Sequence, residues 1–153
     1  MLRRGFTLIE LLVVIAILGI LAGLITGNFF TSLKKGRDAR RKQDLENIQK
    51  GLELYYEDNK AYPSAITSGS ALCHPNGCGT RTYMQKVPSD PSGFTYKYIP
   101  DATTYSYYKL YSCIESSLDQ GAGVVQSGYS GTDCACSGTS ICKFGVSSTN
   151  TSP

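Results

Sequence analysis

Three kinds of residue in this chain could carry chemistry: six cysteines, a single histidine, and a glutamate inside an apolar N-terminal segment. Histidine is the commonest general base near neutral pH, and the chain has only His74, so an acid–base site has few candidates. No nucleophile–base pair stands out either. We therefore predict that the chain is not an enzyme and binds no cofactor.

The cysteine spacing favours disulfide bonds over a metal site. Only one residue lies between Cys134 and Cys136, whereas zinc knuckles have two to four residues between their ligands, and the lone histidine has no partner. Six cysteines in a short chain with a membrane-type N-terminus indicate an oxidising compartment. Of the 15 pairings that six cysteines allow, we predict Cys73 with Cys78, Cys113 with either Cys134 or Cys136, and Cys142 with the one that remains.

The N-terminus combines a short basic stub with a long apolar run. Phe6–Ile25 is long enough to cross a bilayer as a helix, for which roughly 20 apolar residues are needed. Glu10 interrupts it. A secretory signal peptide has a shorter apolar core of about 7–15 residues. Neither a signal peptide nor a plain anchor accounts for a carboxylate, which costs about 2.5–3.5 kcal/mol at the centre of a membrane helix.

A third interpretation accounts for Glu10. The stretch from Gly5 to Ala22, GFTLIELLVVIAILGILA, closely resembles the N-terminus of type IV prepilins and type II secretion pseudopilins. The resemblance implies that a membrane aspartyl peptidase cuts between Gly5 and Phe6 and that the new amino group of Phe6 is N-methylated. It also implies that Glu10 is important for assembly.

Elementary electrostatics makes sense of that role. Cleavage would leave a cationic amine on Phe6, because an α-amino group has a pKa of about 7.7–8.0. Phe6 and Glu10 are four residues apart and lie on one face of a helix. An amine and a carboxylate about 4 Å apart attract by roughly 4 kcal/mol at an effective dielectric constant near 20. We therefore expect the Phe6 amine of a neighbouring subunit to neutralise Glu10 and set the register of the filament.

The resemblance also implies partners and a location. The expected partners are further copies of the chain in a helical filament, a prepilin peptidase, the pilus or secretion assembly machinery and, before assembly, lipid of the inner membrane. The expected location is a single pass through that membrane, then a periplasmic or cell-surface filament. Six Lys/Arg at 34–42, against two before the apolar run, would by the positive-inside rule place the C-terminal side in the cytoplasm. The resemblance and the cysteines together outweigh that bias.

The segment after the apolar run is predicted to continue as a helix. No proline occurs between Met1 and Tyr62, and an apolar stripe recurs at helical spacing, formed by Leu45, Ile48, Leu52 and Tyr55. We predict one helix over about 6–58, ended at Asn59–Pro63 because residues before proline avoid the helical region.

The basic cluster at 34–42 leaves three interpretations open. It could contact phospholipid headgroups, at about 1 kcal/mol per basic residue near an anionic surface, or acidic residues of the filament such as Glu53 and Asp58. DNA is a third partner but an unsupported one, because the cluster lacks interleaved aromatic residues for base stacking.

The C-terminal part is predicted to form a small β domain. Phe94–Ile99 alternates in strand fashion and Tyr105–Ser112 returns after a turn, as in a hairpin. With the preceding Pro-Ser-Asp-Pro, this region resembles, more loosely, the globular part of major pseudopilins. Some of these bind calcium after the sheet. Glu115, Asp119 and Asp133 could supply oxygens, but the dense acidic spacing of a calcium loop is missing, and we predict no metal.

The predicted fold class is α+β, a pilin fold in which a long N-terminal helix packs on a small antiparallel sheet with a disulfide-stapled loop region. The predicted segments are a leader at 1–5, a membrane or filament-core helix at 6–28, an amphipathic half at 29–60, and an extracytoplasmic domain at 61–153 with a flexible Ser/Thr-rich tail at 145–153.

The sequence therefore predicts a structural subunit of a type IV pilus-like filament, processed at Gly5–Phe6 and assembled by packing of N-terminal helices. Two alternatives remain. One is a pseudopilin of a type II secretion or DNA-uptake system, and the other is a minor pilin that binds a surface at the filament tip.

Overall fold

The computed structural model describes residues 5–153, with residues 25–28 described by their backbone alone. Of the predicted leader, residues 1–4 lie outside the described residues. The chain divides into two compact units, Met1–Lys34 and Lys35–Pro153. The segment boundaries at 28 and 60 remain predictions.

One helix dominates the chain, as predicted. Helix α1 runs over Leu8–Asn59 and ends where Lys60 turns into the left-handed region, with φ of 56°. There the amide of Lys60 donates to the carbonyl of Tyr56 at 2.7 Å, which closes the last turn. Judged by length and hydropathy, no single helix among the described residues qualifies as a membrane span. Leu8–Leu24 and Phe29–Asn59 qualify only when they are taken as a pair.

The second half of α1 supplies one side of the core of Lys35–Pro153. The predicted stripe is buried, with Leu45 and Leu52 at 0% exposure and Ile48 at 1%. It packs against Tyr108, Leu110 and Phe144. Each such side chain contributes about 1.5–3 kcal/mol when it leaves water, so this stripe fixes which face of the helix meets the sheet.

Two small antiparallel sheets form the other side. Strands β1 (Leu72–Cys73) and β2 (Thr82–Met84) pair with each other. Strands β3 (Lys97–Pro100), β4 (Tyr108–Ser112) and β5 (Phe144–Ser147) form a sheet in that order. The predicted hairpin is confirmed as β3 and β4, paired from Lys97 opposite Tyr111 to Pro100 opposite Tyr108.

The prediction of a flexible tail at 145–153 is wrong. Strand β5 begins at Phe144 and pairs along β4, with Gly145 opposite Tyr111 and Val146 opposite Leu110. Gly145 fits because it lacks a Cβ, which would lie 2.9 Å from ring carbons of Tyr111. Beyond the strand, Ser148 is 1% exposed and its amide donates to the carbonyl of Tyr108 at 3.2 Å. The Ser/Thr-rich composition reports polarity, whereas the pairing depends on partners far away in sequence.

Candidate assembly surface

Helix α1 begins with a reciprocal cap between Thr7 and Glu10. The amide and the hydroxyl of Thr7 donate to Glu10 Oε2 at 2.8 and 2.7 Å, and the amide of Glu10 donates to Thr7 Oγ1 at 3.3 Å. This is a capping box, which satisfies amides that the first turn of a helix leaves without partners. The pattern Thr-x-x-Glu before an apolar run is its sequence signal. Our sequence interpretation assigned Glu10 to assembly alone and missed this second role.

The residues around the predicted cleavage point precede the helix. Gly5, Phe6 and Thr7 are outside α1 and exposed, with Phe6 at 79%. Phe6 and Glu10 line one shallow groove of about 380 Å³ together with Ile9, Val13 and Val14. The predicted partners Phe6 and Glu10 are therefore on one side of the helix start.

The first half of α1 exposes an apolar surface. Between Leu8 and Leu24 its large apolar side chains range from 46% exposed at Val14 to 82% at Leu8. At Gly19 an added Cβ would meet nothing within 4 Å, so the backbone there is open to close approach by another helix. Apolar patches of this extent mark contact surfaces for protein or lipid.

A buried arginine cluster joins the second half of α1 to two loops of the β domain. Arg41 is 0% exposed. It donates to Asp38 at 2.7 Å, to Asp90 at 2.6 Å and to Glu115 at 2.7 Å. Arg37 adds a bond from Nε to Glu115 at 2.8 Å. A planar guanidinium with five donors suits a junction of several carboxylates.

Backbone amides also donate to the cluster, and its charges shift the pKa of a carboxyl group. Asp38 accepts from the amides of Glu115 and Ser116 at 2.9 and 2.8 Å. Hydrogen bonds from Arg37, followed by those from Arg41, lower the pKa of Glu115 to about 2. Outside the cluster, Lys42 pairs with Asp119 at 2.6 Å and lowers the pKa of that carboxyl.

These pairs bear on the basic cluster at 34–42. Arg37, Arg41 and Lys42 find acidic partners within their own domain, an arrangement that our sequence interpretation did not consider. The acidic residues named as filament partners are also occupied: Glu53 accepts from Tyr62 at 2.9 Å and Asp58 pairs with Arg81 at 2.7 Å. The pair of Arg41 and Asp38 is local, three positions apart, but no local signal could identify the contact of Arg41 with Glu115, 74 positions away.

The six cysteines form three disulfides. Cys73 pairs with Cys78, Cys113 with Cys136, and Cys134 with Cys142, so the structure selects Cys136 from the two alternatives left open for Cys113. In the part of the chain that the structure describes, the only group of metal-type donors comprises sulfurs of these bonds, Cys113, Cys134 and Cys136, within 4.8 Å. Glu115 and Asp119 are engaged by basic side chains, and Asp133 accepts from the amide of Ala135 at 2.9 Å.

Comparison with known proteins places the chain in a family. Residues 1–26 match the prokaryotic N-terminal methylation motif, and residues 28–126 match type II secretion system protein G. The chain belongs to the type II secretion system protein G family. This membership confirms the predicted resemblance to major pseudopilins, and it favours the alternative of a secretion pseudopilin over a type IV pilus subunit.

Curated members of the protein G family align over much of the chain. The type II secretion system core protein G of Pseudomonas aeruginosa is 36% identical over 117 residues, which is 72% of this chain and 82% of that protein. The Klebsiella pneumoniae protein of the same name is 33% identical, over 62% of this chain and 73% of that protein. The Pectobacterium carotovorum protein is 32% identical, and the match spans 65% of its length. No solved structure gave a significant match.

Proposed function

We propose that this chain is a pseudopilin that is cut between Gly5 and Phe6 and assembles into the filament of a type II secretion system. Before assembly it would be anchored in the inner membrane through the apolar part of α1. The observation that carries the proposal is a methylation motif and a protein G domain in one chain, joined by a helix whose first half is exposed and apolar. The proposed role is structural, and the proposed partners are other copies of the chain, a prepilin peptidase and the secretion machinery.

Glu10 is the proposed contact for the neighbouring subunit. Its Oε2 is held by Thr7, whereas Oε1 accepts no hydrogen bond from the described residues. The capping box thus orients a carboxylate that still carries its charge. A cationic Phe6 amine from a neighbour would neutralise that charge inside an apolar filament, where a lone charge is strongly penalised.

Processing is tested first, by intact-mass analysis of filaments sheared from cells. We expect a chain that begins at Phe6, carries one added methyl group and is the most abundant subunit. A chain that begins at Met1, or one cut near Ala22 and left in the membrane or soluble fraction, would contradict the proposal. A minor amount among other subunits would instead make this chain a tip component.

Two substitutions separate the charge of Glu10 from its cap. Glu10→Gln removes the charge but keeps a side chain that serves in a capping box, whereas Glu10→Ala removes both. If the charge pairs with a neighbour, both variants should be processed and membrane-inserted yet yield few filaments. Normal filaments from Glu10→Gln together with failure of Glu10→Ala would show that only the cap matters.

A further inference from the structure

A loop beside the helix, residues 116–121, presents one apolar side chain to solvent. Leu118 is 73% exposed and is the most exposed large apolar residue of Lys35–Pro153. It lines a groove of about 250 Å³ with Lys35, Ala39 and Lys42 of α1. The loop therefore places the Leu118 side chain beside the first turns of α1 in this unit.

The loop is held in place at both ends. Ser116 is 7% exposed and its amide donates to the buried Asp38 at 2.8 Å. The Gln126 amide group donates to the carbonyls of Ser116 and Asp119 at 3.1 and 2.6 Å. Lys42 binds the Asp119 carboxylate at 2.6 Å. These hydrogen bonds thus fix the turn that exposes Leu118.

Charges around the loop are of two kinds. Lys42 is neutralised by Asp119, and Arg37 and Arg41 by the carboxylates described above. Lys35 and Arg40 are exposed, and neither forms a salt bridge with another residue of 5–153. The surface at this end of the unit therefore keeps a positive charge next to an apolar side chain.

Chain continuity indicates what this surface faces. The 23 residues from Leu11 to Leu33 contain no Asp, Glu, Lys or Arg. As a helix they would extend about 34 Å, against the ~30 Å of a hydrocarbon core. If the chain is anchored as proposed above, Lys34 and Lys35 emerge in the headgroup layer on the far side, and Leu118 lies beside Lys35.

We propose that Leu118 and Lys35, with Arg40, form a contact for the anionic phospholipid surface of the outer leaflet of the inner membrane. Lysine and arginine stems reach along an apolar surface while their charges meet phosphate groups, and a leucine can enter the boundary between headgroups and acyl chains. The contact seats the β domain on the membrane before assembly and is lost when the subunit enters the filament. This inference rests on the proposed membrane anchor.

The absence of tryptophan from the chain gives a direct test. Leu118→Trp would introduce a single tryptophan into this chain, which is reconstituted in vesicles of phosphatidylcholine with phosphatidylglycerol. Leu54→Trp is the matched control, since Leu54 is an exposed leucine, 45% accessible, that lies about 28 Å further along the helix from Lys35 at 1.5 Å per residue. For Leu118→Trp we expect blue-shifted emission and quenching by brominated lipid. For Leu54→Trp we expect neither effect.

Charge dependence completes the test. Adding Lys35→Gln and Arg40→Gln to Leu118→Trp should lower the ratio of docked to undocked domain by roughly 10–30-fold, as should vesicles of phosphatidylcholine alone. Emission typical of water without quenching would overturn the proposal. A concentration-dependent blue shift without lipid quenching would overturn it in favour of a contact between copies of the chain. Resistance to alkaline extraction, measured on the same vesicles, reports the anchor separately, so failure of docking and failure of the proposed function are distinguishable.

Discussion

Glutamine in place of Glu115 removes one negative charge from the buried arginine cluster with little change in volume. The wild-type carboxylate accepts from Arg37 at 2.8 Å and from Arg41 at 2.7 Å, and its side chain is 16% exposed. In Glu115→Gln the amide oxygen can still accept the two arginine bonds that Oε1 accepts, but the neutral side chain loses the charge attraction to both guanidinium groups. Its NH2 group also cannot accept the bond that Arg37 Nη2 donates to Oε2 in the wild type. Arg41 keeps Asp38 and Asp90 as partners, so no uncompensated cation is buried.

The size of the loss in stability follows from the shifted pKa of Glu115. The pKa of Glu115 falls from its ordinary 4.5 to about 2, and one pKa unit corresponds to about 1.4 kcal/mol. That gives at most about 3 kcal/mol. We expect about 2 kcal/mol, because Arg37 is 35% exposed and solvent screens that part of the attraction. Since the folded pKa lies below the unfolded one, this stability is complete above pH about 4.5 and is lost as pH falls towards 2.

Urea unfolding of the full chain in detergent, with disulfides intact, measures this difference by circular dichroism. Glu115→Gln should lose about 2 kcal/mol at pH 7 and approach the wild type near pH 2. The control is Glu57→Gln, at an exposed position of helix α1 outside the cluster, for which we expect a change under about 0.5 kcal/mol. A Glu115→Gln protein as stable as the wild type at pH 7, or a difference that persists undiminished at pH 2, would refute the reasoning.

Two further predictions concern the sheet and its tyrosines. Gly145→Ala should destabilise the protein by about 1–3 kcal/mol in urea unfolding, because the new Cβ would lie 2.9 Å from the Tyr111 ring. The control Gly79→Ala should be nearly neutral, because its Cβ would meet nothing within 4 Å. Equal stabilities of the two variants would contradict the placement of β5. Burial, followed by the neighbouring Asp44 for Tyr96 and Glu53 for Tyr108, raises the pKa of both tyrosines above their ordinary 10, so the unfolded chain ionises first and stability should fall above pH about 10. Spectrophotometric titration should show these groups ionising together with unfolding, and a gradual titration of every tyrosine near pH 10 in the folded protein would contradict this.

Signals that extend over a few residues predicted much of the fold. The stripe of Leu45, Ile48 and Leu52 identified the buried face of α1, because helical spacing alone places those side chains together. The β3–β4 hairpin was also predictable, since its strands are joined by a short turn. The Thr7–Glu10 capping box is equally local and could have been predicted, but our sequence interpretation considered only the expected role of Glu10 in assembly.

Contacts between distant segments were not predictable from one sequence. Arg41 meets Asp90 and Glu115, 49 and 74 positions away, and nothing in the run 34–42 separates these neutralised cations from the exposed Lys35. The same limit explains the error at β5. Phe144 and Val146 alternate with small residues, but the pattern is too short to be distinguished from a polar tail until β4 is placed beside it.

The buried arginine cluster and Glu10 differ in whether their charges are neutralised within the chain. In the buried arginine cluster each carboxylate has a guanidinium or backbone donor from its own domain, and no buried side-chain nitrogen or oxygen among the described residues lacks a hydrogen-bond partner. The buried charges of Lys35–Pro153 are therefore neutralised by groups of the same unit. Glu10 is satisfied only in part, on a surface of exposed apolar side chains. Burial of that surface in a filament would strand its charge unless a cation arrived with the neighbouring helix, so the demand for a correctly placed partner concentrates at the N-terminus.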